Sequence, residues 1–159
     1  MIGKRIQDAL NQQINEELYS EYIYLSMGTY FHAEGLDGMA QWIKEQAAEE
    51  RSHAMKMFDH IVKRGGRVEL MAIKEPPRTW DSPLEVWKAA YNHEVYITGK
   101  IKDLVRVAEG EGDDEALDLL QYFVDEQVEE EENASKNVKM AEEAGSDLAA
   151  LDEEMGKRE

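Results

Sequence analysis

Almost nothing in this chain interrupts a helix. Proline occurs only at 76, 77 and 83, and glycine gathers at 35/38, 65/66, 110/112, 145 and 156. The stretches between these breaks repeat their apolar residues with helical period, so the chain is constrained to a few long helices. The spacing predicts helix A over 6–34, helix B over 38–64, helix C over 83–109 and helix D over 114–144. Asp37 reads as the N-cap of B, and Gly65-Gly66 as its stop. Ser82-Pro83-Leu84-Glu85 is the clearest helix start, with a capping Ser, Pro at the first position and Glu at the third. A short helix E over 147–155 follows Ser146 as a candidate cap. Each long helix would span about 40 Å. Short turns make A–B and C–D antiparallel hairpins, and the 65–82 link is long enough to cross a bundle from end to end. The expected fold is all-α: a four-helix bundle with one long B–C crossover, forming one domain over 1–159.

The stripes that should form the core contain polar groups. Helix A carries Ile6, Leu10, Ile14, Glu17, Tyr24 and Phe31 on one face; helix B carries Met39, Ile43, Gln46, Glu50, His53, Met57 and Ile61. Helix C reads Trp87, Ala90, Glu94, Ile97, Ile101, Leu104, and helix D reads Leu120, Phe123, Gln127, Glu130, Ala134, Val138, Ala141. Glu17, Glu50, His53, Glu94, Gln127 and Glu130 all fall near the helix midpoints, which share one level in an antiparallel bundle. The chain also repeats: Glu17 to Glu50 and Glu94 to Gln127 are each 33 residues, and Asn15-Glu16-Glu17-Leu18-Tyr19 parallels Asn92-His93-Glu94-Val95-Tyr96. Each half is one hairpin bearing half a site, with His53 corresponding to Glu130. Carboxylates gathered in a dry core cannot all stay ionised. Four such charges balance two divalent cations, and with one imidazole they describe a two-metal carboxylate site.

Composition narrows the partners. The formal charge is −17, from 18 basic and 35 acidic residues, which disfavours nucleic acid and favours cations. Twelve acidic residues and no basic one lie in 107–135, either as a solvated face or as an attractive path for cations. The absence of Cys excludes disulfides, zinc–thiolate sites, iron–sulfur clusters and thiol nucleophiles. No run of 18 apolar residues exists, so no spanning helix is expected. The start Met1-Ile2-Gly3-Lys4-Arg5 leads into polar sequence, so a cytoplasmic address is the default. His32, His60 and His93 read as surface or packing residues, with His60 a candidate peripheral metal contact. Trp42, Trp80 and Trp87 read as packing or subunit contacts, and the eight Met as core filling.

At these residues the chain resembles the non-haem ferritins of bacteria and archaea. That family pairs two single carboxylates, matched by Glu17 and Glu94, with two Glu-x-x-His motifs. Glu50-Arg51-Ser52-His53 matches the first motif, and Gln127-Val128-Glu129-Glu130 carries the Gln-x-x-Glu form of the non-haem members. Arg51 stands where haem-binding relatives place Met, so no haem is expected. The resemblance implies two iron ions per chain, with Glu17, Glu50 and His53 holding one and Glu94 and Glu130 the other. Glu50 would bridge, and Gln127 would be a weak or indirect ligand. It implies a third position at Glu49, Glu126, Glu129 and Glu130, and a Tyr24 that contacts the site and can supply an electron. It further implies oxidation of Fe²⁺ by O2 or H2O2, ferric storage, and a homo-oligomer closed into a 24-subunit cage. The alternatives are a di-iron or di-manganese oxidase or peroxidase on the same fold, and a non-catalytic metal buffer or structural bundle.

Overall fold

The periodic segments are helices in the computed structural model, which describes residues 1–158. In order they are α1 Lys4–Ala33, α2 Asp37–Lys63, α3 Pro83–Glu111, α4 Asp114–Ala144 and α5 Ala149–Met155. Among the described residues there is no strand. α1 packs along α2 and α3 along α4, and α1 also lies close to α3. The result is the four-helix bundle with one crossover and a short fifth helix.

The helix ends follow local chemistry, with three exceptions. Gly65 ends α2 at φ +76°, and the Gly66 amide donates back to the Ile61 carbonyl at 2.9 Å. The Ser82 hydroxyl accepts from the Glu85 amide at 3.2 Å, as the sequence predicts. α3, however, runs two residues past the expected end. Gly110 stays helical, and Gly112 takes the left-handed turn at φ +63° because the Asp113 amide then reaches the Ala108 carbonyl at 3.0 Å. Asp37 is not the cap of α2. Leu36 occupies that place, Asp37 is the first helical residue, and its Oδ1 pairs with His32 Nδ1 at 2.7 Å. Nor does Ser146 cap α5, which begins at Ala149. Its start is set by Leu148, Leu151 and Met155 docking on the core, with Met155 buried.

The crossover is fastened to one row of α1. Asn11 Nδ2 donates to the Arg67 carbonyl at 3.1 Å, and its Oδ1 accepts from the Glu69 amide at 3.0 Å. Gln7 accepts from the Arg67 amide at 3.1 Å, and Asn15 donates to the carbonyls of Met71 and Ala72. Residues four apart lie on one face of a helix, so this row gives the irregular link its backbone partners.

The predicted stripes are the buried faces, with one change. On α4 the buried positions 120, 123, 127, 130, 134, 137 and 141 alternate strictly by three and four. That 3.5-residue period keeps one seam facing its neighbours. It selects Asn137 in place of Val138, which is only half-buried. The apolar core falls into two clusters. One contains Met27, Phe31, Met39, Ile43 and Trp87, the other Ile6, Leu10, Met57, Ile61 and Leu120. Between them lies a polar layer.

Candidate metal centre

That layer is built by the middles of all four long helices. α1 contributes Glu17, α2 Glu50 and His53, α3 Glu94, and α4 Gln127 and Glu130; all six are buried. Glu50 and His53 are one turn apart on the same face, so both point inward.

Three overlapping groups emerge, within each of which the potential ligand atoms lie within 4.8 Å of one another. Glu17, Glu50 and His53 form the first; Glu50, Glu94 and Glu130 the second; His53, Glu126 and Glu130 the third. Glu50 is shared by the first two, and Glu130 by the second and third. The donor set of carboxylates and one imidazole suits first-row divalent ions such as Fe²⁺. Among the described residues Glu17 Oε2 is buried with no hydrogen-bond partner, so one lone-pair donor is left over for an ion.

Neutral amides orient the carboxylates. Gln13 Nε2 donates to Glu17 Oε1 at 3.1 Å. Gln46 Nε2 donates to Glu50 Oε1 at 3.1 Å and to Glu130 Oε2 at 2.6 Å. Gln127 Nε2 donates to Glu94 Oε2 at 3.2 Å, the Glu94 carbonyl at 3.2 Å and Thr98 Oγ1 at 3.1 Å. The buried Tyr24 hydroxyl donates to Glu94 Oε1. His53 Nδ1 lies 3.2 Å from Glu50 Oε2, and its Nε2 lies 3.8 Å from Glu126 Oε2.

The charges answer burial as expected. Burial, then the Glu50 charge, lifts the Glu94 carboxyl to about 8. Burial, then Glu94 and Glu50, lifts Glu130 to about 9. Glu17 is raised well above the usual range by burial and Glu50. Burial also acts upward on Glu50, but the hydrogen bond and charge of His53 outweigh it and the net shift is down. The reverse holds for His53. Burial acts downward, and the Glu50 bond and the charges of Glu50, Glu126 and Glu49 raise it. Tyr24 is held neutral, its pKa raised by burial and then by Glu94 and Glu50.

The outer carboxylates differ from the inner set. Glu126 reaches the third group, whereas Glu49 and Glu129 are exposed. All three line a polar cavity of about 360 Å³ with His53, Tyr122 and Glu130. It lies between α2 and α4, whose backbones stand further apart than those of α1 and α3. Glu49 Oε1 is bound by Arg158 Nη2 at 3.0 Å. The other histidines lie outside the three groups: His32 pairs with Asp37, His60 with Arg64, and His93 Nε2 faces Ser20 Oγ at 2.7 Å. Trp87 is fully buried, and Trp42 and Trp80 pack against the same cluster.

The sequence pattern put Gln46 on the core stripe of α2 without a role, and did not single out Gln13, Asn137 or Arg158. Gln13 and Gln46 had a signal, since each stands four residues before a core Glu on the same face. Asn137 had one in the strict three–four alternation of α4. Arg158 had none, because its place depends on how α5 docks.

A family model, the ferritin-like domain, matches residues 7–143. A bacterial non-heme ferritin of Bacteroides fragilis is 40% identical over 159 residues, covering 99% of this chain and 100% of the relative. One from Staphylococcus aureus is 32% identical over 161 residues, covering 99% and 97%. Among solved structures, an open pore ferritin from the archaeon Archaeoglobus fulgidus superposes with a TM-score of 0.97 at 46% identity, covering 100% of both chains. An engineered closed form of that ferritin gives 0.98 at 47% identity, covering 100% of this chain and 99% of the other. A four-helix bundle whose polar mid-layer brings carboxylates and one imidazole together, matched along its whole length by these relatives, places the chain in the ferritin-like family.

Proposed function

We propose that this protein is an iron-storage ferritin that oxidises Fe²⁺ at the polar layer of its own bundle. The observation that carries the reading is the overlap of the ligand groups through Glu50 and Glu130. A carboxylate shared between two groups can bridge two ions and hold them close enough to react together. Iron is the substrate here. Glu17, Glu50 and His53 hold one ion, and Glu50, Glu94 and Glu130 the other. Each Fe²⁺ gives up one electron, so a pair supplies the two that reduce O2 to H2O2 or H2O2 to two waters. Gln127 and Tyr24 act on the second ion through Glu94, and the redox role of Tyr24 stays part of this reading.

The ferric product leaves by the polar cavity. Glu49, Glu126, Glu129 and Glu130 serve there as a third, outer position. Storage requires an enclosed volume, so the chain assembles with copies of itself, as a 24-subunit cage. Exposed apolar residues on α1 (Tyr22, Leu25) and the crossover (Leu70, Met71, Ile73) supply faces for that assembly. Haem has no part in it: Arg51, exposed near Glu21, stands at the relevant position. Among the described residues, no helix is long and apolar enough to cross a membrane.

The test is aerobic Fe²⁺ titration with oxygen consumption, bound iron and native mass followed together. A fast phase at two or three ions per chain, then slow loading to many ions in a large particle, is the expected result. Glu50→Ala and Glu130→Ala should lose the fast phase. A stop at two ions in a small oligomer would make the protein a di-iron or di-manganese oxidase instead.

A further inference from the structure

Arg158, near the end of the chain, is seated in a socket at the edge of the polar cavity. Its Nη1 donates to the Trp42 carbonyl at 3.0 Å. Its Nη2 donates to Gln46 Oε1 at 3.2 Å and to Glu49 Oε1 at 3.0 Å. The guanidinium stacks on the Trp42 ring at 4.0 Å, and the side chain is only 18% exposed. A surface ion pair on a loose tail has none of this. Arginine's planar fork lets one group meet a carbonyl, an amide oxygen and a carboxylate together. Among the described residues that line the polar cavity, Arg158 is the only Arg or Lys.

Two consequences follow from this placement. Arg158 pairs with Glu49, which lines the cavity beside the outer group of His53, Glu126 and Glu130. It also fixes Gln46. With Oε1 taken by Arg158, the Gln46 amide nitrogen faces Glu50 and Glu130, the two carboxylates shared between ligand groups. One cationic side chain thus touches the outer position directly and the inner pair through one amide. The tail is held in place by α5, whose Asp152 Oδ1 accepts from the Met39 amide at 2.7 Å.

We propose that Arg158 is the built-in competitor of the outer metal ion: it and a divalent cation contend for Glu49, so it sets how tightly that ion is held and how readily it passes on. The inference rests on the proposed metal centre. Arg158 is a positioning residue and touches no reacting atom. A fixed positive charge at the mouth weakens an outer cation and leaves it free to move toward storage. Without that charge, an ion would lodge there.

The experiment is calorimetric titration of the full-length apoprotein with Zn²⁺, which binds without oxidation, repeated anaerobically with Fe²⁺. Wild type, Arg158→Gln, Arg158→Lys, Glu49→Gln and the Arg158→Gln/Glu49→Gln double variant are compared. Arg158→Gln should bind the outer ion about tenfold more tightly, or show one where wild type shows none. Arg158→Lys should stay within about threefold of wild type, because the competing charge is retained. In the Glu49→Gln background, the gain from Arg158→Gln should shrink to within about threefold, since only the through-space charge is left, an outcome a purely structural tail contact would not produce. Melting of each apoprotein, with its helical circular dichroism, establishes folding. Unchanged or weaker outer binding in folded Arg158→Gln overturns the proposal, as does an equal gain in the Glu49→Gln background. If every variant binds two ions and none a third, the proposal fails while the inner centre stands. If wild type binds no ion, the metal centre itself fails.

Discussion

At pH 7 Glu94 and Glu130 are neutral acids until an ion arrives, since burial places them at about 8 and about 9. In the unfolded chain a Glu titrates near 4.3, roughly its solution value. Between these limits the folded protein holds protons that the unfolded chain has lost. Stability of the apoprotein is therefore expected to fall as pH rises from about 5 through 9. Bound Zn²⁺ or Fe²⁺ should remove that slope, since the ion replaces the protons; melting curves at several pH values, with and without Zn²⁺, check both statements. The Tyr24 hydroxyl donates to Glu94. Tyr24→Phe removes the hydroxyl that holds ionised Glu94 in place, and bonds to charged groups contribute about 1.5–3 kcal/mol. The expected result is a second Zn²⁺ bound at least about tenfold more weakly, with the first unchanged, read by calorimetry.

Among the elements, α2 and α5 depend on each other more than their sequences suggest. The first turn of α2 has no side-chain cap of its own, and Asp152 supplies one from α5. Gly38 makes the approach possible: a Cβ there would sit 1.8 Å from the Asp152 carbonyl oxygen. Gly38→Ala should therefore lift α5, lower stability by about 1–3 kcal/mol and expose the tail. Thermal melting and proteolysis after Gly145 would register it. The crossover has an equivalent anchor in Asn11, buried and bonded at both ends of its amide to Arg67 and Glu69. Asn11→Ala leaves two backbone groups without partners and should cost about 1–3 kcal/mol. Inner metal binding, read by Zn²⁺ titration, should persist. Local signals marked the helices well because glycine turns and the Ser82 cap act within a few residues. They missed the starts of α2 and α5 because Asp152 caps α2 from a distant part of the chain and α5 begins where Leu148, Leu151 and Met155 dock on the core.

Across the whole molecule, the polar layer cuts one apolar core into two. Such a layer is a cost the bundle carries until ions occupy it. Metal binding should therefore stabilise the protein by about 2.7 kcal/mol per site at a hundredfold excess over the dissociation constant, and raise the melting temperature with it. Glu17→Met replaces a buried carboxyl that has an unpartnered oxygen. It should reduce the stabilisation that metal provides, while in the apoprotein the gain from losing the unpartnered oxygen is offset by the Gln13 amide left without its acceptor. Comparing the melting temperatures of both proteins, with and without Zn²⁺, tests the pair of statements.

The sequence by itself determined the four long helices, the crossover and the six inner residues. Each follows from period and height: a helix turns every 3.6 residues whatever surrounds it, and groups at helix midpoints meet in an antiparallel bundle. Only the tertiary structure decided that Gln46 joins Glu50 to Glu130 and that Arg158 closes on Glu49. Those contacts join residues far apart in the chain, between 84 positions for Gln46–Glu130 and 109 for Arg158–Glu49. Their partners are chosen by how helices dock, an outcome that no local period encodes.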